Sequence, residues 1–562
     1  MAGVRSPVAR TKRKGEVAAP ASPQPPAADR GRVMSRGELQ DKAIRGALWT
    51  LVHVVVSLPL AFVVNIVIAR TLGVVDYGRL AYLAAVMALV RSVIDLGVGT
   101  GLVQFGSKAH AAGRYDEVKR LLNAAQGYRM FVGMPVISAS VLLLVDVDPV
   151  LIAIALVFGV LLPCFLSGAN DALAIENKTA NGAQAAMIIN IVTQVLVVVA
   201  TVTLGTADAI WSVRLVAAGL GTLIVLCFVA RKYRRALLRP RFRGFPPGFW
   251  LFALPAGAAG MIEVVLSERS EVLVLTWMSH VEAAGVFALA LGLATHLFAP
   301  AQSLVGPLVP AISGLREVDA DAVARALGRT LRASSTAMAL VAAGAVPAFA
   351  VLVPVIYGGE FDDVPEVLLA VGVAGGLLVI AGPLRAFVMA RLKGLWLLWL
   401  NLTALVVNVG LMVVLIPFLG VWGAVLGNVT SVVVLFLLLL ITEARSLGVG
   451  VGRAFRDVTP YVVGVLACGA AWVTTVWLGW GPVASAPVAA VVGLGLLVGG
   501  LRLSRSGLTP DDAEAVQRSL PARVGRLLDV PLRLVTTARP WPSPRETTAT
   551  GVPAGESASS RG

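Results

Sequence analysis

The residues here whose types and spacing can do chemistry are ionisable side chains set inside long apolar runs. Arg91 and Asp95 stand four apart in one such run, so on a helix they share a face. Arg214 and Arg385 lie in two others, with no acid within four residues on either side. Glu263, Glu268, Arg269 and Glu271 interrupt a fourth; Glu268 and Glu271 share a helical face and Arg269 points about 100° away. A charge at the centre of a bilayer costs on the order of 2.5–3.5 kcal/mol, so such groups face a partner or a wet cavity. An arginine in a wet cavity binds a phosphate bidentately, and a carboxylate there can exchange a proton or a cation. Arg91, Arg214, Arg269 and Arg385 are therefore candidate anion binders; Asp95, Glu263, Glu268 and Glu271 are candidate coupling sites. The competing structural readings are an internal Arg91–Asp95 ion pair, and a 263–271 cluster that sits in water at a portal because its helix tilts or starts late.

Other chemistry is poorly provided for. His53 and His296 stand alone and read as packed or hydrogen-bonded; Cys164, Cys227 and Cys468 read as small apolar helix residues. There is no Gly-rich phosphate loop ending in Lys-Ser/Thr and no His-Glu-x-x-His zinc motif. No cofactor or metal is expected, and direct ATP drive is not.

The elements that must position these charges are membrane helices. Of 562 residues 57% are hydrophobic and 14% charged, against about 25% charged in a soluble domain. Roughly fourteen stretches reach the 20 or so apolar residues that a spanning helix needs, among them 80–103, 128–145, 249–275, 333–356 and 421–442. The predicted fold class is an all-α polytopic membrane protein. The net charge of +15 would suggest nucleic acid in a soluble protein; here its placement argues otherwise. Every second loop is basic, and the alternate loops are acidic or bare: Asp146 with Asp148, Asp208, Glu282, then Glu360 to Glu366. Cytoplasmic loops collect Lys and Arg, so an even number of spans puts both termini in the cytoplasm of a bacterial-type plasma membrane, and no nucleic-acid partner is expected.

Weak internal repetition follows. The text around Arg70 to Ala81 is echoed around Met278 to Ala288, an offset of roughly 207 residues or about six spans. This predicts a basic tail over 1–43, a six-helix lobe over 44–230, a basic linker over 231–248, a second six-helix lobe over 249–442, an extra helix pair over 443–503 and a tail over 504–562. An even count per lobe relates the lobes by a pseudo-two-fold axis along the membrane normal, with a substrate path between them. Both tails read as mostly disordered, the first lying against anionic lipid headgroups. In the second, Thr509-Pro510-Asp511-Asp512 starts a short helix that Pro521 ends.

Three motifs occur in order. Ile68-Ala-Arg-Thr-Leu-Gly-Val-Val-Asp-Tyr-Gly-Arg-Leu80 precedes Asp95-Leu96-Gly97; Val355-Ile-Tyr-Gly-Gly-Glu-Phe361 follows; then come Val407-Asn408, Ile416-Pro417 and Leu419-Gly-Val-Trp-Gly-Ala424. Together, over roughly 68–430, they resemble the polysaccharide flippase family of the multidrug/oligosaccharidyl-lipid/polysaccharide exporter superfamily. The matched positions are Gly73, Tyr77, Gly78, Gly97, Gly358, Asn408, Pro417, Gly420 and Gly423. Most read as fold devices: Gly73 and Gly78 turn the chain, Pro417 stops a helix, Gly420 and Gly423 allow a close return, and Asn408 bonds a backbone carbonyl. The resemblance implies a transporter, not an enzyme. Its cargo would be a polyprenyl-diphosphate-linked oligosaccharide, moved to the outer leaflet by alternating access, with membrane lipids and glycan-synthesis enzymes as partners. The alternatives are an ion-coupled multidrug or cation exporter of the same superfamily and a membrane glycan polymerase or glycosyltransferase. The short external loops speak against the last.

Overall fold

The computed structural model describes residues 36–241, 244–267, 270–278, 280–302, 320–391, 394–519, 529–530 and 532–537. Among them every regular element is a helix, and the β-structure is one isolated bridge between Leu508 and Thr536. Among the described residues eleven helices are long and apolar enough to cross a membrane.

The first of those eleven is two arms. Helix α1 (Arg36–Asp95) departs from helical geometry at Gly73, where φ is 70°. Twelve residues of straight helix would separate Asn65 from Tyr77 by about 18 Å, yet the Asn65 amide donates to the Tyr77 hydroxyl at 3.1 Å. The arms therefore fold back on each other, and the loop expected over 70–79 is a turn at Gly73 alone. Gly78 turns nothing: it lies inside the second helical arm. That arm breaks at Leu96 and Gly97, both at positive φ, before α2 (Val98–Ala111) carries on toward α3 (Tyr115–Tyr128).

The chain continues through a π-turn into α4 (Met134–Leu144), so the 128–145 span begins earlier, at Tyr115. Next come α5 (Pro149–Ile154), α6 (Leu162–Leu166) and α7 (Gly168–Ile175), then α8 (Thr179–Thr203), α9 (Ala207–Phe228) and α10 (Arg231–Leu237), the last inside the predicted linker. The described residues of the expected 249–275 span form α11 (Phe249–Ser267) and α12 (Ser270–Trp277). Helix α13 (Val281–Gln302) precedes α14 (Ala320–Leu340) and α15 (Val346–Tyr357), which a π-turn joins into one helix longer than the expected 333–356. Helices α16 (Val364–Ala390), α17 (Gly394–Leu419), α18 (Val421–Ser446), α19 (Val451–Leu478) and α20 (Pro482–Ser504) follow. Pro417 does not stop α17; the helix runs on to Leu419, and Gly420 breaks it at φ 55°.

Packing distinguishes the two ends of the bundle. At the end carrying the acidic loops, one buried core joins N-terminal helices (Ile68, Tyr77, Trp211) to C-terminal ones (Phe287, Phe361, Met412). At the basic end the cores are separate. One is built by Leu122, Tyr233 and Phe249, the other by Leu327, Phe387 and Leu439. The bundle is thus sealed across its acidic end. The last pair, α19 and α20, packs on α14 and α15, with Gly464 against Ala339.

In the C-terminal segment the short helix expected after Thr509 is present, and the residues beyond 537 lie outside the described ones. Helix α21 (Pro510–Ser519) starts at Thr509, whose hydroxyl accepts from the Asp512 amide at 3.1 Å while Asp512 accepts from the Thr509 amide at 3.4 Å, a reciprocal cap. Leu508 and Val535 are buried against Leu497 and Leu501. Buried Asp512 also pairs with Arg332 at 2.9 Å, and Arg332 reaches Asp457 at 3.0 Å. Removing one member of a buried pair costs about 3 kcal/mol, more than so short a segment recovers elsewhere. Asp512→Asn is therefore expected to undock α21 and expose it to protease, with the membrane helices intact. Unchanged cleavage would show that the apolar contacts hold it alone. The N-terminal tail lies mostly outside the described residues; from Arg36 to Ala43 the chain is already helical.

Candidate functional site

The sharpest constellation lies on the C-terminal helices. Ser270 and Glu271 open α12, Asn408 lies mid-way along α17, and Asn428 sits in the second turn of α18. Glu271 is fully buried, as is Asn408. The Asn408 amide donates to Glu271 Oε1 at 2.9 Å and to the Ser270 hydroxyl at 3.3 Å. Asn428 donates to the same Oε1 at 2.8 Å. Asn408 therefore bonds a carboxylate and a hydroxyl, not the backbone carbonyl expected of it. Among the described residues Glu271 Oε2 and Asn408 Oδ1 have no hydrogen-bond partner. Two orphaned acceptors on adjoining residues cost free energy unless something electropositive serves them, so the site is chemically suited to a proton or a monovalent cation. Asn428 was missed at the sequence level. Its signal was available: Asn408 and Asn428 are amides in apolar runs, each able to meet a carboxylate across helices.

Glu263 lies in α11 without a described side chain, and Glu268 and Arg269 lie outside the described residues.

The N-terminal helices hold a second polar cluster. The expected Arg91–Asp95 pair does not form. Arg129 takes Asp95 at 3.6 Å and Asp171 at 2.7 Å. Arg91 instead donates to the Gly159 carbonyl at 2.6 Å, in the π-turn between α5 and α6 that exposes carbonyls to such donors. Arg129 and Asp171 escaped notice because both sit at span ends, where charges count as loop residues. The same holds for Arg391 and the fully buried Glu443, which pair across α16 and α18. Arg214 on α9 and Arg385 on α16 are half-buried, the first beside the shared core and the second within the C-terminal basic-end core.

The motif residues gather at the sealed acidic end. The Arg70 guanidinium donates to the carbonyls of Val355 at 2.5 Å and Ile356 at 2.6 Å. The Val74 amide donates to Glu360 at 3.3 Å, and the Tyr77 ring meets Phe361 edge-on. Gly358 adopts φ 103°, which lets the chain leave α15 toward this contact. Gly78 backs onto the Val281 carbonyl, and Gly97 onto Ala253 and Gly257. These glycines are places of close helix approach, and Gly423 likewise presses on Leu415 and Ile416. On the same end Arg79 pairs with Asp208 at 2.8 Å.

Residues 43–316 match the family model described as "Polysaccharide biosynthesis protein". No curated protein matches the chain. Similar solved structures include the lipid II flippase MurJ in an inward closed conformation. It is 13% identical, the match covers 81% of this chain and 99% of that one, and the TM-score is 0.55. An inward-facing multidrug resistance MATE family transporter of the MOP superfamily is 15% identical, with 72% and 99% covered and a TM-score of 0.54. A MATE transporter of Vibrio cholerae is 17% identical, with 73% and 98% covered and a TM-score of 0.50. At these identities the likeness is one of fold.

Proposed function

We propose that this chain, whose residues 43–316 match the polysaccharide biosynthesis protein family model, belongs to that family and flips a polyprenyl-diphosphate-linked oligosaccharide from the cytoplasmic to the outer leaflet. The chain is a multi-pass membrane protein with a transporter fold. Both termini face the cytoplasm in this reading, because the basic loops collect at their end.

The observation that carries the reading is Arg91. It is a half-buried guanidinium inside the membrane-spanning helices whose hydrogen-bond partner among the described residues is a carbonyl, not a carboxylate. A diphosphate moving through hydrocarbon unaided is prohibitive; a guanidinium that keeps its charge in a wet path serves it bidentately. The lipid tail would stay in the bilayer, and the headgroup would cross between the sets of helices that are joined at the acidic end. Arg214, Arg269 and Arg385 remain further candidates for the same work. Glu271 would supply coupling to a proton or cation gradient, with Asp95, Glu263 and Glu268 as the other candidates. Glycan-synthesis enzymes would supply the cargo.

Two experiments test this. A deletion strain is expected to accumulate lipid-linked oligosaccharide on the cytoplasmic leaflet. Unchanged lipid-linked glycans with altered drug tolerance would replace the reading with a multidrug or cation exporter, which the buried Glu271 site also suits. In the complemented strain, Arg91→Gln is expected to cut glycan export about tenfold at equal membrane abundance, the loss of one charge-assisted contact. Full export by Arg91→Gln, Arg214→Gln, Arg269→Gln and Arg385→Gln alike would end the cationic-path mechanism.

A further inference from the structure

The basic end carries a pocket that the transport reading does not use. It has a volume of about 660 Å³, lies between α3 and α10, and has six Lys or Arg among its eight lining residues and no acid. The bias of cytoplasmic loops toward Lys and Arg accounts for cations at this end. It does not account for their convergence on one concavity.

The sequence of α10 explains the convergence. Tyr233, Ala236 and Leu237 are buried and hold the helix to the bundle, and Tyr233 OH shares a 2.8 Å hydrogen bond with His110 Nδ1. That fixes the opposite face. Arg231 and Arg235 stand four apart on the exposed face of the helix, and Arg239, just past its C-terminal end, is exposed on the same pocket. Lys232 lies with its ammonium 3.6 Å from the centroid of the Tyr115 ring, and burial pulls that ammonium below the ordinary amine range. Arg234 is spoken for, since it closes on the carbonyls of Cys227 and Val229. The neighbouring acids are also engaged: Asp116 with Lys119 and Glu176 with Lys178, each at 2.7 Å. Four cations thus share one pocket that no acid lines, with Glu176 a partial offset to Lys232 alone.

We propose that this pocket binds a multiply charged phosphate group at the membrane surface, separately from the path through the helices. The chemistry is that of a diphosphate or clustered phosphates. Three exposed guanidinium forks lining one pocket offer paired donors to tetrahedral oxygens. Lys232 adds a point charge braced on an aromatic face. The volume falls within the few hundred to 1,000 Å³ typical of ligand pockets, enough for a diphosphate and part of what it carries. The source is either the headgroup of an anionic membrane lipid or a soluble diphosphate.

The test uses the purified full-length protein in phosphatidylcholine nanodiscs, titrated with inorganic pyrophosphate in a calorimeter. Saturable binding is expected, weakening steeply with added salt. The triple variant Arg231→Gln, Arg235→Gln, Arg239→Gln should bind about tenfold or more weakly. All three side chains are exposed, so thermal stability should be unchanged. Arg445→Gln, which removes an exposed basic-end charge outside the pocket, should bind like the unaltered protein, which separates this site from general surface charge. Replacing part of the phosphatidylcholine with phosphatidylglycerol distinguishes the sources. Competition assigns the pocket to lipid headgroups; undiminished pyrophosphate binding assigns it to a soluble diphosphate. The proposal is overturned if the unaltered protein shows no saturable binding, or if the triple variant binds as well as it does.

Discussion

Glu271→Gln is expected to leave the protein folded and in the membrane at normal abundance while glycan export falls by at least about tenfold, equivalent to roughly 1.4 kcal/mol or more of lost coupling. The reasoning starts from the oxygens. Oε1 of Glu271 already accepts from both Asn408 and Asn428, at 2.9 and 2.8 Å. Oε2 and the Asn408 carbonyl oxygen accept from no donor among the described residues. An ionised carboxylate so placed is a buried charge without a countercharge among its side-chain hydrogen-bond partners, which are two amides. A proton on Oε2, or a cation shared with Asn408 Oδ1, relieves both deficits at once. Glutamine has the same shape and keeps an acceptor for the two asparagines, and it supplies a permanent N–H donor where the second oxygen stood. It should therefore stabilise the site and freeze it, because an amide neither takes up nor releases the charge. Thermal unfolding in detergent separates this from simple damage: the variant should unfold at the original temperature or above. Glu271→Leu leaves the donors of Asn408 and Asn428 unserved and should unfold earlier. Full export by Glu271→Gln would show that energy coupling does not pass through this carboxylate.

Most of the helical frame was legible in the sequence because hydropathy over 20 residues is a strong signal, and the alternation of loop charge is an independent one. Acidic-loop residues such as Asp208 and Glu360 do meet at one end, against Arg79 and Val74. What the sequence hid were choices made between helices. Arg91 and Asp95 have the spacing of an ion pair, but Arg129 offers Asp95 a partner on another helix, and the π-turn at Gly159 offers Arg91 a carbonyl. One-dimensional spacing knows only the neighbours on a residue's own helix. The same limit concealed the role of Asn408, whose partners lie 137 and 138 residues away. Charges at span ends were hardest to judge, since Arg391 and Glu443 look like loop residues in the sequence and become a buried pair once α16 and α18 meet. Gly73 and Gly78 illustrate a related ambiguity. Both suit a tight turn, yet only Gly73 has positive φ; Gly78 is needed for its missing side chain.

That missing side chain makes Gly78→Val the other large expected effect. A Cβ at Gly78 would stand 2.5 Å from the Val281 carbonyl oxygen and 2.9 Å from the Gly285 amide nitrogen. These are backbone atoms of α13, which no rotamer change can move aside. Gly285 repeats the constraint in reverse, since a Cβ there would run into Val74. The two helices must therefore separate, and they belong to the two sets that share the acidic-end core. Separation pulls Tyr77 from Phe361 and Arg70 from the end of α15, so the strain falls on the sealed state and is relieved when the acidic end opens. Overpacking of this kind costs about 2 kcal/mol, which shifts a two-state population roughly thirtyfold. The reporter is a cysteine in place of buried Ala81, on a background lacking Cys164, Cys227 and Cys468. It is expected to resist a membrane-impermeant maleimide added outside in the parent and to react readily in Gly78→Val, with export reduced because the carrier no longer returns to its sealed form. Should Gly78→Val fail to reach the membrane, Gly78→Ala makes the same clash with a single methyl and should give the same direction at smaller amplitude. Equal protection of the cysteine in parent and variants would mean that the contact between α1 and α13 is not where the acidic end opens.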